Sequence, residues 1–151
     1  MGTSTNAILC YGYSFEEEYS FPWASEDDIV EWWLKVNGYK PPFQLFDERR
    51  NWLNGVEAPD DKVTEYFNAR RAFLEKNPIP IKDVMHCSGA NAMWILATPS
   101  SVVEAYRGYP EMIEPEKLQA DIEEKRQLEL FCERWELIGA GPAWWLASLW
   151  F

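Results

Sequence analysis

The apolar and polar positions change period along the chain, and the changes mark its elements. Residues 6–15 (Asn-Ala-Ile-Leu-Cys-Tyr-Gly-Tyr-Ser-Phe) are apolar or aromatic on both alternating faces. That predicts a strand covered on at least part of both faces, with Gly12 marking a bulge or a close backbone approach. An acidic stretch at 16–18 leads to a Phe-Pro-Trp turn at 21–23. Ser25 followed by Asp28 reads as a capping pair, with Glu26 and Asp27 also in the first turn, where their charge suits the helix dipole. Ile29, Val30, Trp33 and Val36 recur at helical spacing, and Asn37-Gly38 ends that helix. A second short helix is predicted from Pro41-Pro42 to Asn54-Gly55, lined by Phe43, Phe46, Arg50 and Leu53. A third spans 60–77, with Val63, Tyr66, Phe67, Phe73 and Leu74 as its apolar stripe.

The period then shifts to that of strands. Segments 81–87, 92–98 and 101–107, with turns at Ser88-Gly89 and Pro99-Ser100, predict an antiparallel meander. Residues 115–138 predict the longest helix, with Pro115 at its first position and Gly139 past its end. Leu128, Phe131, Trp135 and Ile138 form its stripe, while Leu118 and Ile122 are offset, so a bend near Lys125 is expected. After Gly141-Pro142, residues 143–151 read as a final strand too apolar for an exposed tail, placed in the sheet beside the first. Together the elements predict a single α+β domain over 1–151. Its antiparallel or mixed sheet of four to five strands includes both termini and packs on the long C-terminal helix, with two to three shorter helices in the first half.

Composition narrows the function classes. With 151 residues and 47% hydrophobic content the chain can bury a core without staples. A net charge of −11 opposes binding to nucleic acid or to an anionic membrane. No apolar run reaches membrane-spanning length and the start has no signal-peptide pattern, so a cytoplasmic protein is expected. The charge is uneven: residues 1–31 hold seven acids and no Lys or Arg. Nine Trp, seven Tyr and eight Phe supply core volume and interface anchors alike.

Chemistry is sparse. Cys10, Cys87 and Cys132 are scattered and odd in number, which fits neither a disulfide framework nor a zinc pair. The single histidine, His86, precedes Cys87, but neighbours on a strand point to opposite faces, so it is not expected to activate that thiol. Cys10 on a neighbouring strand is the other weak catalytic candidate. Glu16, Glu17 and Glu18 lack the spacing of a cation-binding loop. No phosphate-binding, dinucleotide or nucleophile-elbow motif is present. No cofactor and no metal are expected.

Several stretches, in this order, carry a resemblance: residues 6–13, His86-Cys87-Ser88 with 92–97, Tyr106-Arg107-Gly108-Tyr109-Pro110, and Trp145-Leu146-Ala147-Ser148-Leu149-Trp150. They are similar to a family of small acidic proteins of actinobacteria and their bacteriophages, one with no established activity. The resemblance implies a phage accessory protein working in the bacterial cytoplasm. The expected function is protein–protein binding through an acidic surface, inhibiting a host defence or nucleic-acid-processing system. Its partner would be a host or phage protein, a basic nucleic-acid-binding one among the choices, met by Glu16, Glu17, Glu18 and Trp23. Two alternatives stand beside it: a small enzyme using His86 with a neighbouring Cys or carboxylate, and a structural homo-oligomer.

Overall fold

A computed structural model describes residues 5–26, 28–46 and 51–150. The predictions that rest on Asp27, Arg50 and Phe151 lie outside the described residues. The chain groups into two compact units, Met1–Ala24 with Pro80–Phe151, and Ser25–Ile79.

The larger unit is α+β and holds a five-stranded mixed sheet. Its strands are β1 (Thr5–Phe15), β2 (Lys82–Ser88), β3 (Ala92–Ala97), β4 (Val103–Ala105) and β5 (Ala140–Trp150), in the order β3-β2-β5-β1-β4. β1 is central. Along one edge it pairs with β5, from Thr5↔Trp150 to Ser14↔Ala140, so the final strand lies beside the first as its apolar run predicts. Its other edge is shared end to end, with β3 from Phe15↔Trp94 to Gly12↔Ala97 and β4 from Leu9↔Val103 to Ala7↔Ala105. β2 pairs antiparallel with β3 and parallel with β5, through Cys87↔Leu149 and Ser88↔Trp150. Four strands thus close a circuit, β1 to β3 to β2 to β5 and back to β1, and the sheet is mixed where an antiparallel meander is predicted. β3 and β4 form no hairpin, because a 3-10 turn at Pro99–Ser101 delivers both to the same edge of β1.

One face of these strands forms a core of Ile8, Cys10, Val84, Ile95, Ala97 and Leu149, with Met85, Val102, Trp145 and Ala147 against it. Closing so few strands forces backbones together. A Cβ on Gly12 would stand 2.0 Å from the Leu96 carbonyl oxygen, so only glycine fits there. The register with β5 also shifts between Gly12 and Ser14. β1 is buried on one face and half-covered on the other, in keeping with its apolar pattern.

The predicted helix at 115–138 is two pieces, a 3-10 turn at Pro115–Leu118 and α3 (Ile122–Arg134). Asp121 separates them by capping α3, its carboxylate accepting from the Glu124 N–H at 2.9 Å. Instead of bending near Lys125, the chain breaks earlier. The helix also stops before Gly139: Glu136 takes a left-handed φ of 53°, Glu136 N–H donates to Glu133 O, and Leu137 N–H donates to Cys132 O. That is a Schellman closure with glutamate in the glycine position. It buries Leu137 and leaves Ile138, predicted for the apolar stripe, 83% exposed. Phe15, Tyr19, Phe21, Trp23 and Phe131 form a run of ring contacts from the end of β1 to α3.

The smaller unit carries α1 (Ile29–Val36) and α2 (Asp60–Lys76). Asp28, not Ser25, caps α1 by accepting from Glu31 N–H at 2.8 Å, and Ile29, Trp32, Trp33 and Leu34 are its buried residues. The helix predicted from Pro41 to Gly55 is absent from the described residues of that span. Phe46 instead bridges antiparallel to Trp52 with their rings 4.7 Å apart, followed by a 3-10 turn at Leu53–Gly55. Ring contacts of Tyr39 with Phe73, and of Phe43 and Phe46 with Tyr66, hold this segment on α2. No helix among the described residues is long and apolar enough to cross a membrane.

Candidate functional site

Glu16, Glu17 and Glu18 are exposed on the turn that follows β1, closed by Tyr19 N–H donating to Glu16 O, with Glu18 at φ 65°. The turn is tied to the loop after α3, where Ile138 N–H donates to the Tyr19 hydroxyl at 3.2 Å. Gly139 lies so close that a Cβ there would stand 2.9 Å from the Phe15 ring and the Ser14 carbonyl. At this end of the unit opens a cleft of about 420 Å³, lined by Tyr13, Glu129, Cys132, Glu133, Glu136, Leu137, Ile138 and Gly139.

Each wall follows from local structure. Glu129 and Glu133 are one helical turn apart and share a face of α3. Glu136 is turned toward the cleft by its left-handed cap. Burial, and then the neighbouring Cys132 and Glu129, hold the Tyr13 phenol above its ordinary value. Exposed Ile138 adds an apolar contact at the rim. The acidic triplet is legible in the sequence; the cleft carboxylates are not, although the Glu129/Glu133 spacing is the signal that points to them. Trp23 is half-buried, stacked on Phe21 at 4.7 Å and 6.2 Å from Phe131, so packing accounts for its ring.

His86 and Cys87 depart from the expectation that they diverge. Cys87 has a φ of 71°, which breaks the strand's alternation and brings its Sγ to 3.5 Å from His86 Nδ1. Sγ also lies 3.3 Å from Met93 Sδ, across the hairpin. Burial holds the His86 imidazole below its ordinary value, and its Nε2 is buried with no hydrogen-bond partner. Cys10 is not brought to this group: it sits in the core, paired with Trp145, and no hydrogen bond among the described residues joins it to His86. Among the described residues, no three His, Cys, Asp or Glu side chains gather to hold a metal ion. No known family, curated protein or solved structure matches the chain.

Proposed function

We propose that the protein acts by binding a basic segment of another protein at the acidic end of its larger unit. The observation that carries this reading is the gathering of six exposed carboxylates at one end, Glu16, Glu17 and Glu18 on the turn and Glu129, Glu133 and Glu136 at the cleft. A cleft with carboxylate walls and an apolar rim suits a Lys or Arg side chain whose stem packs while its head is paired. A nucleic-acid-binding protein would meet such a surface as it meets phosphates. The resemblance stated above extends the proposal to a phage accessory protein of the bacterial cytoplasm that occupies a host or phage protein in this way.

The test is capture of a partner from host lysate, then association rates at two ionic strengths. Changing Glu129, Glu133 and Glu136 together to Gln, or Glu16, Glu17 and Glu18 together to Gln, is expected to slow association at low salt and to flatten its salt dependence. Unchanged rates and salt slopes in both variants would overturn the reading. Leu146 and Trp150, 79% and 54% exposed on the same face of β5, favour a second reading as a self-associating protein. Sedimentation of the wild type against Leu146→Lys separates the two, since only self-association predicts a loss of mass.

A further inference from the structure

Three donor atoms meet where the β2–β3 hairpin closes: His86 Nδ1, Cys87 Sγ and Met93 Sδ, with Sγ 3.5 Å from the first and 3.3 Å from the last. In the ladder His86 lies opposite Met93, while ordinary extended backbone would send the Cys87 side chain to the other face. The left-handed Cys87 prevents that. Such a conformation is unfavourable for a residue with a Cβ, and strain of this kind gathers at functional sites. Hydrogen bonding explains the group poorly. Thiol and thioether are weak partners, and the far nitrogen of this half-buried imidazole has no partner at all. A histidine kept for structure alone would be held at both nitrogens.

We propose that His86 Nδ1, Cys87 Sγ and Met93 Sδ form a binding site for a soft monovalent cation, Cu(I). Thiolate and thioether together favour Cu(I) over hard cations, and imidazole suits copper as well. With bonds of about 2.3 Å to sulfur and 2.0–2.1 Å to nitrogen, as for another ion of filled d shell, the observed separations give angles of roughly 90–110° at the metal. One thiolate against one monovalent ion also leaves the half-buried site neutral, which limits the penalty of desolvation. Binding forms the Sγ–Cu bond and releases the Cys87 thiol proton to solvent; the copper stays Cu(I), so no oxidant or reductant takes part.

The experiment is an anaerobic titration of the full chain against Cu(I) held by a chromophoric chelator. One Cu(I) withdrawn per chain is expected, with thiolate-to-copper absorption in the near ultraviolet. Cys87→Ser should abolish it, and Met93→Leu and His86→Gln should each weaken affinity by about tenfold or more. A variant with Cys10→Ala and Cys132→Ala should bind like the wild type, because those thiols lie in packed cores. Far-ultraviolet spectra check that each variant is folded, and volume-conserving Met93→Leu keeps the test informative should Cys87→Ser misfold. Failure to withdraw Cu(I) overturns the proposal. So does uptake that survives both Cys87→Ser and Met93→Leu, uptake that needs Cys10 or Cys132, or equal competition by Zn(II).

Discussion

Cys10 and Cys132 are 0% and 5% exposed, and burial pushes each thiol from its ordinary 9.0 up to about 11. The unfolded chain therefore loses these protons at lower pH than the folded one. Their contribution to stability is intact below pH 9 and is lost as pH rises toward 11. The loss is on the order of 2–3 kcal/mol per thiol. Denaturant midpoints across this range should fall for the wild type and fall less for Cys10→Ala with Cys132→Ala; equal slopes would show that other groups set the alkaline limit. Two glycines make a second contrast. At Gly12 a Cβ would meet backbone atoms of Leu96 and Ala97 at 2.0 to 2.8 Å, so Gly12→Ala must part β1 from β3. We expect a loss above about 3 kcal/mol. At Gly89 a Cβ meets nothing within 4 Å, and Gly89→Ala should be neutral or stabilising by up to about 1 kcal/mol. A chemical denaturation curve for each variant decides. The special place of Gly12 is legible in the sequence, because glycine interrupts an otherwise strong strand pattern. That of Cys87 is not, since strand alternation holds only while φ stays extended.

Helix ends show why some element boundaries are legible and others hidden. α1 and α3 close with the same hydrogen bonds, Tyr39 N–H to Leu34 O in one and Leu137 N–H to Cys132 O in the other. In α1 the left-handed position is Gly38, which announces itself. In α3 it is Glu136, so a reader of the sequence carries the helix on to Gly139 and misplaces Ile138. The absence of a helix among the described residues of 41–55 has a similar cause: Phe43, Phe46 and Leu53 mimic a helical stripe, but the rings of Phe43 and Phe46 pack on Tyr66 of α2. Tertiary contact overrides the local period. The cleft was hidden for the same reason as the α3 cap, since its walls come from α3, its closing turn and β1. Glu136→Gly should therefore stabilise the fold by about 1 kcal/mol, by removing left-handed strain at a position glycine tolerates. Gly38→Ala should destabilise by a similar amount, Gly38 having a φ of 73°. Thermal melts of the pair check the signs, and a destabilising Glu136→Gly would mean that its side chain contributes more than its backbone strains.

At the scale of the molecule, charge is the dominant long-range term. The larger unit carries fourteen acidic against six basic residues, and the smaller eleven against eight. Two effects of salt oppose one another. Ion pairs weaken, but Lys62–Glu65 and Arg126–Glu123 are half or more exposed and contribute little. Arg70–Glu31, at 2.6 Å and only about a fifth exposed, is screened less. Repulsion among the excess carboxylates acts over longer distances and is largely screened once the Debye length falls to about 10 Å at 0.1 M salt. Repulsion should win, so the melting temperature is expected to rise with added sodium chloride. Chloride is the right anion for the measurement, since sulfate would also strengthen apolar burial. Changing Glu16, Glu17 and Glu18 together to Gln removes three charges at the most acidic end, where the cleft carboxylates add three more. That variant should melt above the wild type at low salt and converge with it at high salt. A wild-type melting temperature that is flat or falls with salt would show that the fold disperses these charges well enough for the ion pairs to govern instead.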